Sequence, residues 1–143
     1  TRVPAPDDET ARIVRPNAVP YALAMIPITR IGKSRLSNTR SRSVIFQGVL
    51  TTVAVAGDTD QPLFEQSVQA LAVLDDNLAE AGTDKSRVLM VMIYLTDIDA
   101  KPEFNRAWDA WVDRENLPLR ACVGAPLEGD FLVEIVATAA VDP

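Results

Sequence analysis

Histidine is absent from the sequence, and cysteine occurs once, as Cys122. Without histidine the chain has no usual general base for neutral pH, no Ser–His or Cys–His nucleophile pair, and no imidazole ligand for zinc. A single cysteine excludes a disulfide within the chain and favours a reducing compartment. These absences exclude the commonest hydrolytic and zinc-dependent sites.

Excess positive charge and long apolar runs are also missing. The formal net charge is −6, which argues against general affinity for nucleic acid. No apolar run reaches the about 20 residues of a membrane helix. The charged start of the chain, TRVPAPDDETARIVRPNAVP, has no apolar stretch of the kind found in signal peptides. We therefore expect a cytoplasmic protein that does not enter the membrane.

The first 24 residues differ in composition from the rest. They contain Pro4, Pro6, Pro16 and Pro20 among many charged residues. Such a segment buries little surface, so we predict an extended N-terminal arm over residues 1–24 and one folded domain over residues 25–143. The arm is either a disordered tail or a segment that packs on a neighbouring subunit.

Hydrophobic periodicity predicts the elements of the domain. Residues 21–31 predict an edge strand, because Pro27 interrupts them. Residues 44–56 are rich in β-branched side chains and predict one strand, with a bulge or a close backbone approach at Gly48. Apolar residues at steps of three and four predict two helices. The two stripes are Phe64, Val68, Leu71, Leu74 and Leu78, then Phe104, Ala107, Trp108, Trp111 and Val112.

The segment Arg87–Asp97, RVLMVMIYLTD, is apolar on both alternating faces. A strand of this kind needs cover on both sides, and the two helices can cover only one. The other face therefore predicts subunit contacts. Together the elements predict an α+β fold of order ββαβαββ, in which a mixed sheet carries two helices on one face. Crossovers through helices predict parallel strand pairs.

The C-terminal stretch Leu117–Val141 contains two β-prone runs around a turn at Gly129 and Asp130. Each run holds one charge in an apolar context, Arg120 in the first and Glu134 in the second. Such charges are costly unless they are paired or used in a site. A hairpin would bring the two together, either as a simple ion pair or as a functional site.

Positive charge is concentrated between residues 30 and 43. Arg30, Lys33, Arg35, Arg40 and Arg42 provide five of the fourteen lysines and arginines. A patch for anions or nucleic acid is one interpretation. We favour a solvated hairpin, because no aromatic residues alternate with these charges to stack on bases and the whole chain is acidic.

Several of these motifs resemble the RidA (YjgF) family of reactive-intermediate or imine deaminases. They are Pro118–Val123 with Arg120 at its centre, and Val133–Glu134–Ile135. The stretches LAEAGTDKSRVLMVMIYLTDI and FNRAWDAWV are similar to a branch with a Trp-rich second helix. The resemblance covers roughly residues 28–141. It implies a chorismate-mutase-like fold and a homotrimer, in which the sheets form a central barrel and clefts between subunits hold the sites.

The resemblance also implies a reaction and its residues. Arg120 would bind the carboxylate of a 2-imino or enamine acid, and Glu134 would position the attacking water. It places Gln47, Gly48 and Asn105 among the substrate-binding residues, together with Cys122 through its backbone. No metal, cofactor or nucleic acid is implied, only a small carboxylate-bearing substrate.

The sequence departs from the family pattern at several points. Gln47 precedes Gly48 where relatives often have serine, Leu119 replaces a small residue, and the region 34–39 lacks a tyrosine that usually lines the cleft. Two alternatives therefore stay open. One is a specialised biosynthetic enzyme that acts on another carboxylate-bearing intermediate, and the other is a ligand-binding or regulatory trimer without catalysis.

Overall fold

Six strands and two helices make up the computed structural model, which describes residues 26–143; the predicted arm, residues 1–24, lies outside them. The strands are β1 (Thr29–Lys33), β2 (Ser41–Phe46), β3 (Val49–Ala54), β4 (Val88–Leu95), β5 (Leu119–Gly124) and β6 (Val133–Ala140). The helices are α1 (Leu63–Glu80) and α2 (Lys101–Trp111). The predicted α+β class, with a mixed sheet and two helices, is confirmed.

The six strands form one sheet in the order β1-β2-β3-β6-β4-β5. Among the strands of residues 26–143, only β4 and β5 pair in parallel, as expected for strands joined through α2. The predicted C-terminal hairpin is wrong, because β4 lies between β5 and β6 and pairs with both. The strand that is apolar on both faces therefore takes an interior position, where both of its edges are hydrogen-bonded.

One predicted strand is two strands in the structure. Residues 44–56 contain a tight turn at Gln47 and Gly48, whose φ angles are 50° and 75°. Two consecutive residues with positive φ make the type of turn that fits the twist of a two-residue hairpin. The chain consequently has three strands before α1 rather than two. The predicted hairpin around residues 31–43 is confirmed as β1 and β2.

Helix α1 begins directly after Pro62 and ends before Gly82. Gly82 has a φ of 79°, which a side chain would disfavour. The Thr83 amide donates to the Leu78 carbonyl at 3.0 Å and closes the helix end. Neither helix in residues 26–143 combines the length and hydropathy needed to cross a membrane.

The helices cover one face of the sheet and leave the other without cover. Leu74, Leu78, Ile93 and Ile135 are among the fully buried residues between helices and sheet. We call the opposite side the open face. Several of its apolar side chains are well exposed, from 37% for Met90 to 73% for Leu119. By strand register this face also includes Phe46, Val49, Val53, Val123 and Val136.

Candidate functional site

Arg120 lies on the edge strand β5 and points toward α2. Its register partner on β4 is Val91, which is fully buried on the helix side of the sheet. The guanidinium donates a hydrogen bond to the Asn105 side-chain oxygen at 2.6 Å. Its central carbon lies 5.4 Å from the Phe104 ring centre and 5.1 Å from the Trp108 ring centre. Three α2 side chains therefore hold this cation in place.

The α2 sequence explains why those three side chains meet Arg120. Phe104 and Trp108 are four residues apart, so they lie on the same side of the helix. Both are buried, and their rings are 6.2 Å apart. Asn105 follows Phe104 at the border of that buried stripe and is half-exposed. The pair of Phe104 and Trp108 belongs to the predicted apolar stripe of α2, lies in the core, and also forms the platform for Arg120.

The charge of Arg120 has no counter-ion in the part of the chain that the structure describes. None of the ion pairs within residues 26–143 includes Arg120. Asn105 is neutral and accepts only one of the five guanidinium N–H bonds. The remaining donors can meet a carboxylate through two parallel hydrogen bonds.

Cys122 follows Arg120 on the same side of β5 and packs against the core. Burial raises the pKa of its thiol, and the positive charges of Arg120 and Lys101 oppose that rise only partly. A raised pKa leaves little thiolate at neutral pH, so the thiol is a poor nucleophile. The side chain of Cys122 therefore packs beside Arg120 rather than adding a reactive group.

Glu134 lies on β6 and belongs to the open face. Its chain neighbours Val133 and Ile135 are fully buried toward the helices, and its register partner is Tyr94. The carboxylate lines a cleft of about 100 Å³, and within residues 26–143 it has no ion-pair partner. The other lining residues are Ser34, Arg35, Leu36, Arg40, Ser41, Arg42, Val53, Val55 and Val73.

Arg120 and Glu134 do not lie close to each other within one chain. They lie on opposite faces of the sheet, with β4 between their strands. Their register partners on β4, Val91 and Tyr94, are three residues apart, and their strands are two strand spacings apart. The Cα atoms of Arg120 and Glu134 are therefore separated by roughly 14 Å. A direct ion pair between Arg120 and Glu134 is therefore excluded in the single chain.

Gln47 and Gly48 lie at the other end of the sheet from Glu134. The Gly48 carbonyl accepts a hydrogen bond from the Val141 amide at 2.9 Å. Because Val141 follows Glu134 by seven residues in extended chain, the turn is about 23 Å from Glu134. Of the residues predicted to bind substrate, the structure groups Arg120, Asn105 and Cys122 and leaves Gln47 and Gly48 apart from both charged groups.

Sequence reasoning missed the side chains that surround Glu134. Val53 follows the alternation of β3 on the open face, which becomes visible once the turn at Gln47 is recognised, and Val55 comes directly after the end of that strand. Arg35 and Arg40 were noted as a charged segment, but nothing in the sequence connects that segment with residue 134. Among residues 26–143, no three His, Cys, Asp or Glu side chains are arranged to hold a metal ion.

Comparisons with known proteins give one consistent result. Residues 39–141 match the family model described as Endoribonuclease L-PSP. A RutC family protein from Haemophilus ducreyi is 39% identical over 117 residues, which is 80% of this chain and 97% of that protein. The RutC family protein YoaB from Escherichia coli K12 is 37% identical over 99 residues, 68% of this chain and 87% of that protein.

Solved structures agree in fold. A member of the YjgF protein family from Neisseria meningitidis has a TM-score of 0.75 and 35% identity, with 82% of this chain and 98% of that chain covered. A member of the YjgF/YER057c/UK114 family from Mycobacterium tuberculosis has a TM-score of 0.66 over 80% of this chain and 100% of that one. Its identity of 22% supports the fold alone.

Proposed function

The chain belongs to the YjgF/RidA/RutC family, and we therefore propose that it is an imine deaminase, a hydrolase that converts 2-imino or enamine acids to 2-keto acids. The proposed substrate is a small carboxylate-bearing molecule. Arg120 binds its carboxylate, and Glu134 positions the attacking water. The single cysteine supports a reducing, cytoplasmic setting for this enzyme.

The environment of the Arg120 guanidinium is the observation that supports this proposal. A half-buried guanidinium that stacks on two aromatic rings is costly to keep without a counter-ion, and residues 26–143 supply none. Its planar donors match a carboxylate in two hydrogen bonds, which fixes orientation as well as affinity. Asn105 keeps its amide N–H groups available for the same ligand.

The hydrolysis requires one water and one proton carrier. Glu134 accepts a proton from water as the water oxygen bonds to the imine carbon, and the electrons of the C=N π bond move to nitrogen. The carboxyl group of Glu134 then returns the proton to nitrogen. The hydroxyl proton of the resulting carbinolamine then passes through Glu134 to the nitrogen, the C–N bond breaks, and the oxygen forms the C=O bond of the 2-keto acid as ammonia leaves, so atoms and electrons balance without a cofactor.

We further propose a homotrimer in which the sheets form a central barrel and each site combines two subunits. Apolar side chains on the open face, such as Val49, Val53 and Met90, support this assembly, because large exposed apolar patches mark interfaces. An inter-subunit site also resolves the separation of Arg120 and Glu134, which cannot share a substrate within one chain.

The test is hydrolysis of 2-iminobutyrate, generated in place from 2-aminobutyrate by an amino-acid oxidase. We expect the protein to speed the release of ammonia and Arg120→Ala to abolish the effect, since the substrate loses its charged anchor. Arg114→Ala is the matched control, because Arg114 is exposed and its side chain bonds only to the Asp109 carbonyl within residues 26–143. A parent protein that accelerates hydrolysis of no imino acid would contradict the proposal.

Two further functions fit the departures at Gln47 and Leu119: a pathway enzyme that acts on another carboxylate-bearing intermediate, and a ligand-binding or regulatory trimer. Calorimetric titration with small keto acids separates them from the deaminase. Binding that requires Arg120, without turnover of any imine, supports the non-catalytic function. Turnover of a different intermediate supports the pathway enzyme.

A further inference from the structure

Three arginines of the β1–β2 hairpin line the cleft that contains Glu134. Arg35 and Arg40 lie in the connection between the strands, and Arg42 lies on β2. The connection is an ordered turn, because the Ser34 amide donates to the Arg40 carbonyl at 2.7 Å. The positive charge that the sequence concentrates in this hairpin is thus placed beside the proposed water-positioning carboxylate.

Arg42 has a structural partner. It donates to both carboxylate oxygens of Glu80, at 2.7 and 2.6 Å, and to the Lys33 carbonyl at 3.3 Å. Gly32 makes room for it, since a Cβ atom there would lie 2.5 Å from the guanidinium. Arg42 therefore ties the hairpin to the end of α1, and its charge is compensated by Glu80.

Arg35 and Arg40 have no such partner. In residues 26–143 neither side chain forms an ion pair, and Glu134 forms none with them. After the pair of Arg42 with Glu80 is set aside, the cleft holds two guanidinium groups and one carboxylate. Both arginines are exposed, so a ligand that carries a second negative group can reach them and balance this charge.

The shape of the cleft agrees with a small acidic group on a short carbon stem. Its volume of about 100 Å³ is several times the about 10–15 Å³ that one water requires. One wall of the cleft is apolar and can contact a methylene chain; it is formed by Val53, Val55 and Val73. No aromatic side chain lines it, so it offers no stacking surface for a nucleic-acid base.

We propose that Arg35 and Arg40 bind a second carboxylate of the substrate, so that this protein prefers imines of dicarboxylic amino acids. This inference rests on the proposed function and its inter-subunit site: Arg120 of one subunit holds the carboxylate next to the imine carbon, and Arg35 and Arg40 of the neighbouring subunit, in the cleft with Glu134, hold the distal one. The two arginines set specificity and take no part in the bond changes.

The first experiment compares two imines that differ by one carboxylate. An amino-acid oxidase generates 2-iminoglutarate from glutamate and 2-iminobutyrate from 2-aminobutyrate. We expect kcat/KM to be about tenfold or more higher for the dicarboxylic imine. Arg35→Ala and Arg40→Ala each lower that ratio, and the double variant brings it close to unity. Arg30→Ala is the control, because Arg30 is exposed on β1 outside the cleft.

The second experiment needs no turnover. Calorimetry measures binding of 2-oxoglutarate and of 2-oxobutyrate to the wild type and the double variant. Tighter binding of 2-oxoglutarate that is lost in the double variant supports the second carboxylate site even if no imine is hydrolysed. Equal affinities in the wild type, or a preference that survives in the double variant, overturn the proposal.

Nucleic acid is the competing ligand for Arg35 and Arg40. Wild-type binding of a single-stranded RNA oligonucleotide that weakens steeply with salt, and that disappears in the double variant, would assign the arginines to RNA and overturn the proposal. We expect no RNA binding at moderate salt, because the chain carries a net charge of −6.

Discussion

The surroundings of Arg120 and Glu134 differ in how completely one chain builds them. Arg120 is held by Asn105, Phe104 and Trp108, all from one helix that packs on the core. Glu134 has no such support, since its cleft is lined largely by the β1–β2 hairpin at the edge of the sheet. One half of the proposed site is preformed, and the other is open.

The difference separates two tasks that a binding site must perform. A charged side chain that is fixed against a helix can bind the group common to all substrates of a class, because the core sets the position of that side chain. A hairpin at the sheet edge can change in sequence without disturbing that core. We infer that the Arg120 side defines the carboxylate requirement and that Arg35 and Arg40 define which carboxylates are preferred.

We expect the largest effect on activity when the two halves of the site are disrupted separately, each in its own variant chain. Arg120→Ala and Glu134→Gln should each be inactive, and loss of the proton carrier alone should lower kcat about 10²–10⁴-fold. Refolding the two variants together should restore activity, because a site at an interface can take Arg120 from one chain and Glu134 from the next. Random mixing of equal amounts gives about one quarter intact sites.

The control is a mixture of Arg120→Ala with the double variant Arg120→Ala/Glu134→Gln, which contains no Arg120 and should stay inactive. Light scattering on the same samples should give three times the chain mass of 15.5 kDa. Trimers without recovered activity would show that the two residues do not share an inter-subunit site.

We expect a smaller effect on activity when the contacts that hold Arg120 are weakened. Asn105→Ala removes the one hydrogen bond that fixes the Arg120 guanidinium. A hydrogen bond to a charged group contributes about 1.5 kcal/mol at the low end, so we expect KM for 2-iminobutyrate to rise about tenfold with a smaller change in kcat. Asn116→Ala is the control, since Asn116 lies at the surface and bonds only to Asp113 in the part of the chain that the structure describes. An equal rise of KM in both variants would remove Asn105 from the site.

The elements that could be predicted from sequence are those with a strong local pattern. The apolar stripes of α1 and α2, and the apolar strand β4 between Arg87 and Asp97, follow from periodicity alone. The family membership follows from the motifs around Arg120 and Glu134, and the comparisons confirm it. Trp108 falls on the predicted apolar stripe of α2 because its spacing from Phe104 matches one helix face.

The rest depends on pairing between distant segments, which no local pattern encodes. The sequence around Gly129 resembles a hairpin turn, yet β5 pairs with β4 because the α2 crossover returns it in parallel. The turn at Gln47 was missed because β-branched residues continue on both sides of it. The arrangement of Arg35 and Arg40 beside Glu134 required the three-dimensional fold, since about a hundred residues separate them in the chain.

The smallest effect concerns Cys122, which can report whether a ligand occupies Arg120. Burial raises the pKa of the thiol, and the Arg120 charge lowers it. A bound carboxylate neutralises that charge, so the pKa should rise further and the thiolate fraction should fall. Alkylation of Cys122 should therefore slow when 2-oxobutyrate is added, and the pH at which the alkylation rate is half-maximal should move upward.

Simple shielding by the ligand would slow alkylation without moving that midpoint. Arg120→Ala should already have the higher midpoint and should not respond to 2-oxobutyrate. A midpoint that the ligand leaves unchanged in the wild type would mean that the keto acid does not bind at Arg120.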